Sequence, residues 1–75
     1  MYQSQGNAVY FVHDPRDSRL SAKCQTPADA THAAKLLNRA RTLNDVKRQY
    51  TAAARLIADA ENLPGFVWIE PEYTA

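Results

Sequence analysis

The chain is short of most things from which a reaction could be read. It has one cysteine, Cys24, which cannot close an internal disulfide, so the fold must hold without oxidation. Its two glycines, Gly6 and Gly65, are isolated, which excludes a glycine-rich loop that cradles phosphate. No run approaches the roughly 18–20 apolar residues that span a bilayer. The polar start, "MYQSQGNAVYFVHDP", lacks the basic and apolar regions of a signal peptide. A net charge of +1 argues against a uniformly basic nucleic-acid binder and against an acidic imitation of DNA. These absences predict a cytoplasmic protein with no membrane partner.

Catalytic and metal-binding sets are scarce as well. His13 and Asp14 are neighbours on a strand and should point to opposite faces, which suits a dyad poorly. Cys24 and His32 read as a buried structural thiol and a surface helix residue rather than a nucleophile and its base. With His13 they form no tetrahedral metal spacing. Glu70 and Glu72 share a strand face only if the last strand passes Pro71, where they would deter edge pairing. No catalytic residue, metal or cofactor is expected.

What remains is an ordinary globular composition: 75 residues, 45% apolar and 23% charged. Residues 1–75 read as one small α+β domain with a thin core. "AVYFVH" (8–13) is β-branched and aromatic, "DPRDS" (14–18) is turn chemistry, and "RLSAKC" (19–24) alternates, so the three make a hairpin. Thr26, Pro27 and Asp29 carry N-cap, first-turn and capping-box signals for a helix from Pro27 to about Arg41. Its thin apolar stripe is Ala30, Ala33, Ala34, Leu37 and Ala40. Thr42 and Asp45 repeat the signal for a second helix, Leu43 to Glu61, with Leu43, Val46, Tyr50, Ala53, Ile57 and Ala60 on one face. That stripe spans under three heptads and reads as core rather than coiled coil. A last strand should run from Phe66 to about Pro71, with a loose tail beyond Tyr73.

The order β-β-α-α-β predicts a three-stranded mixed sheet with two antiparallel helices on one face. Residues 8–13 are apolar on both sides and are placed in the centre, giving strand order 2-1-3. Order 1-2-3 would leave them at an edge. Val9, Phe11, Leu20, Ala22, Cys24, Val67 and Ile69 should face the helices. Tyr10, Val12, Arg19, Ser21, Lys23, Phe66, Trp68 and Glu70 should form an uncovered aromatic and basic face. A one-residue slip would exchange the two sets. The Met1-Tyr2 arm is another element able to cover a strand.

Charge is segregated. Residues 35–55 hold Lys35, Arg39, Arg41, Lys47, Arg48 and Arg55 against Asp45 alone, and residues 56–75 hold four acids and no base. Arg48 and Arg55 should share a helix face with Arg41 near its start, and Arg55 can pair with Asp59. Arg41, Lys47, Arg48 and Arg55 read either as a basic patch or as the solvated side of an amphipathic helix.

The leading functional expectation is a non-enzymatic protein-binding module, docking Tyr10, Arg19, Lys23, Phe66 and Trp68 on a larger protein or nucleoprotein target. Size and build alone suggest a small regulator or inhibitor of the kind phages and mobile elements direct at host-defence machinery, CRISPR effector complexes included. The alternative is single-stranded nucleic acid stacked on Tyr10, Phe66 and Trp68, with Arg19 and Lys23 on the backbone. A homodimer that buries the open face is compatible with both.

Overall fold

A computed structural model describes residues 1–14 and 16–69 of the chain. Its elements in chain order are β1 (Tyr2–Gln5), β2 (Ala8–Asp14), β3 (Asp17–Lys23), α1 (Pro27–Asp45), α2 (Tyr50–Glu61) and β4 (Val67–Trp68). The class is α+β, with α1 packed on one sheet and α2 packed on α1 rather than on the sheet face as expected. The sheet is four-stranded and antiparallel throughout, in the order β1-β2-β3-β4. The expected three-stranded mixed sheet of order 2-1-3 is therefore corrected.

The correction has a physical cause. β2 is apolar on both sides and does lie inside the sheet, but β1 gives it its second neighbour. Gly6 and Asn7 turn the chain between them, with Gly6 at φ +58. Val12 N–H also donates to the Met1 carbonyl at 2.8 Å. With that edge covered, β4 pairs with β3 instead, through Ala22 with Trp68 and Lys23 with Val67. Of the predicted last strand, Phe66 precedes β4, and Glu70 and Pro71 lie outside the described residues, as do Pro15, Glu72 and Tyr73.

α1 begins as its capping residues dictate. The Thr26 hydroxyl accepts from Asp29 N–H at 3.2 Å and donates to the Asp29 carboxylate at 2.9 Å. Its buried residues are Ala30, Ala33, Ala34, Leu37 and Ala40. The helix overruns the second capping signal. Thr42 donates its hydroxyl to the Asn38 carbonyl one turn back, and α1 continues to Asp45. The turn falls at residues 46–49, where Arg48 takes a left-handed φ of +53. α2 is accordingly shorter than predicted, and its stripe is split: Val46 and Tyr50 are exposed, and only Ala53 and Ala60 of α2 are buried.

The core lies between α1 and the sheet. Val9, Ala22 and Cys24 meet Ala30, Ala33, Ala34, Leu37 and Ala60, with Tyr2, Leu36, Leu63 and Phe66 packed around them. Small side chains let α1 approach both the sheet and α2 closely. Among the described residues, no helix is long and apolar enough to cross a membrane.

Candidate partner-binding surfaces

The strand register decides which side chains face away from the helices. Val9 pairs with Ala22, both fully buried, but Tyr10 pairs with Leu20, so Ser21 is an extra residue on β3. This β-bulge reverses the alternation beyond it. Tyr10, Val12, Leu20, Val67 and Ile69 then occupy the side opposite the helices, with Lys23 beside Val67 at its end. No described element covers this face. Val67 is 59% exposed, and Tyr10, Val12, Leu20 and Ile69 are half-buried.

The predicted site residues divide between the two sides. Tyr10 and Lys23 stand on the open face as expected. Phe66 and Trp68 do not: Trp68 is the partner of buried Ala22, and Phe66 packs on the core with its ring 5.0 Å from that of Trp68, edge to face. Trp68 donates its indole N–H to the Glu61 carboxylate at 3.1 Å, which ties β4 to the end of α2. Arg19 is also on the helix side, paired with Phe11. Leu20, Val67 and Ile69, assigned to the core by alternation, lie on the open face instead. One bulge residue and a β4 register fixed by Ala22 account for every exchange. Glu70 lies outside the described residues.

On the helix side a second surface forms beside the open end of the core. The Phe11 ring meets Tyr2 at 4.9 Å and His13 at 4.6 Å, both edge to face. The Arg41 guanidinium sits 4.6 Å above its centroid, a cation–π contact. Arg41 also holds Asp45 at 3.5 Å, the ion pair that forms among the described residues in place of the expected Arg55–Asp59 pair. Arg41, Asp45, Leu37, Ala40, Ile57 and Trp68 line a cleft of about 270 Å³ together with Tyr2 and Asn44. Trp68 and Arg19 share a further depression at the end of β4. The sequence signal for this cluster was present in Phe11 and Trp68, but it required the register to show that they share a side.

The basic residues do not make one helical face. Arg41 belongs to α1, Lys47 and Arg48 to the turn, and Arg55 to α2. The left-handed turn at Arg48 breaks the seven-residue spacing that would have aligned them.

Cys24 is buried, and that burial raises its thiol pKa, with the Asp29 carboxylate adding to the effect. His32 is exposed on α1, and Asp14 accepts from the Arg16 N–H at 2.7 Å. Comparison with protein-family models, curated proteins and solved structures finds no match to this chain.

Proposed function

We propose that the protein is a non-enzymatic binding module that docks its open sheet face on a larger protein. The observation that carries this reading is the five-residue apolar face of Tyr10, Val12, Leu20, Val67 and Ile69, with Lys23 at its end and no described element over it. A surface of this kind gains free energy when a partner removes it from water, and a tyrosine in its middle supplies a rigid amphipathic anchor. The size of the chain suits a small regulator or inhibitor that caps a surface on its target, of the phage or mobile-element type aimed at a host-defence complex.

Single-stranded nucleic acid is the less favoured partner. Base stacking needs several free aromatic faces in a row. Of Tyr10, Phe66 and Trp68, only Tyr10 is on the open side.

The test is site-specific photocrosslinking in the source cells, with a photoreactive phenylalanine at Tyr10 and, as a control, at exposed Arg39 on α1. A discrete protein adduct from position 10 and none from position 39 is expected. Adducts to nucleic acid, or equal adducts from both positions, would overturn the reading.

A further inference from the structure

We infer that this protein exchanges α2 and β4 with a second copy of itself, the turn between the helices opening into one continuous helix from Pro27 to Glu61. The partner is a second copy because the surface that receives α2 already exists. It is the side of α1 on which α2 packs within the single chain.

The turn holds a conformation that its residues do not favour. Residues 46–49 are Val-Lys-Arg-Gln, with no glycine or proline to end a helix. Lysine, arginine and glutamine are good helix formers. Arg48 nevertheless takes a φ of +53, a left-handed position where glycine is usual and a Cβ is crowded. α2 then starts without help, because Gln49 makes no side-chain capping bond and no acid stands in the first turn. A straight helix through these residues removes the left-handed position. It also gives the first N–H groups of α2 carbonyl partners four residues back.

The apolar pattern is already that of one long helix. Its spacing of three and four begins at Ala30 and runs through Leu43, Val46 and Tyr50 to Ala60 without a break. The turn interrupts this stripe and leaves Val46 74% and Tyr50 60% exposed. In the exchanged pair two long helices pass each other in opposite directions. α2 of each copy lies on α1 of the other, and Ala53 and Ala60 return to the buried places they hold in the single chain. Val46 and Tyr50 then meet their counterparts at the twofold axis. The pair keeps the contacts of the folded chain and adds a buried patch.

β4 follows α2 and crosses with it. It pairs with β3 of the other copy, and Trp68 keeps its bond to Glu61 because both residues move together. Each open face is then made by two chains, with Tyr10, Val12 and Leu20 from one and Val67 and Ile69 from the other. The exchange does not depend on what that face binds. It must first break the packing of α1 on α2 and of β3 on β4, so monomer and pair interconvert slowly.

The full chain is refolded from urea at about 10 µM and at about 1 mM, and its mass is read by light scattering after size exclusion. A monomer from the dilute sample and a dimer from the concentrated one are expected, the dimer surviving dilution for hours. Spin labels on Arg39→Cys and Arg55→Cys, in one chain among an excess of unlabelled chains, report the shape of a single chain. Both positions are exposed, one on each helix, and buried Cys24 stays unlabelled. In the dimer their separation should lengthen to roughly 24 Å, the rise of sixteen helical residues. R48G suits the left-handed turn and weakens the straight helix, so it should raise the dimer dissociation constant more than about tenfold. A chain that stays monomeric at about 1 mM overturns the inference. So does a dimer whose labels keep their monomer separation, or an R48G chain that dimerises as readily as the native one.

Discussion

Asn38 on α1 grips the backbone of Tyr2 on β1 through both of its amide atoms. Its Oδ1 accepts from the Tyr2 N–H, and its Nδ2 donates to the Tyr2 carbonyl at 2.8 Å. β1 is an outer strand, and an outer strand presents its peptide groups as a template for another chain. The asparagine amide meets those groups as a neighbouring strand would. Asn38→Leu is expected to cost about 1–3 kcal/mol, because two part-buried backbone groups lose their partner. Urea unfolding measures the loss, and faster hydrogen exchange at the Tyr2 amide locates it. Unchanged stability and exchange would show that the grip contributes nothing.

The two glycines should respond differently to alanine. Both have positive φ, +58 at Gly6 and +69 at Gly65. A Cβ on Gly6 meets nothing within 4 Å, so Gly6→Ala should cost only the left-handed backbone term, about 1–2 kcal/mol. A Cβ on Gly65 would sit 2.9 Å from the Gln25 Cβ and 3.0 Å from its backbone nitrogen. Gly65→Ala should therefore lose more, about 3 kcal/mol or above, with the two melting temperatures ordered accordingly.

Cys24 should be a slow thiol and a pH-dependent one. Its folded pKa is raised, so the folded state holds its proton more tightly than the unfolded chain. The associated stability is fully present below the unfolded thiol pKa of about 8.5, and is lost as pH rises through the folded value. Unfolding free energy should fall above about pH 8.5 in the native chain and fall less in Cys24→Ala. A thiol reagent should label the native protein far more slowly than the urea-unfolded one.

Val9 is the one large side chain that is completely buried among the described residues. The rest of the core is mostly alanine, which leaves little to redistribute around a gap. Val9→Ala should cost about 2 kcal/mol, a large share of the stability of so small a domain. Thermal and urea unfolding would agree on this, and a loss under half that size would mean that the helices can close over the gap.

Local chemistry was readable in the sequence wherever one residue type decided it. Thr26, Pro27 and Asp29 define the start of α1, and the alanine stripe with Leu37 defines its buried side, because caps and helical periodicity act over a few residues. β1 was hidden because Tyr-Gln-Ser-Gln has a single apolar residue. The Gly6-Asn7 pair between two short runs was the signal for it. The helix turn was misplaced because Thr42 can cap a new helix or bond back into the old one, and neither Gly nor Pro marks residues 46–49. The candidate surfaces were half legible. An uncovered face follows from the count of elements, and Tyr10 and Lys23 lie on it. Arg19, Phe66 and Trp68 changed sides because facing depends on a pairing register that alternation alone does not contain.

The unpaired Ser21 makes the outward surface of this protein a question of odd and even. Between Ala22 and the hairpin turn, each side chain's side is set by how many residues intervene, and Ser21 adds one. Gain of one further codon between Leu20 and Ser21, with the bulge kept, would pair Leu20 with Phe11 and so carry Leu20 inward and Arg19 outward, together, with no other change in composition. A lineage could in this way exchange a greasy contact surface for a charged one in a single step, keeping the helices and their caps as they are.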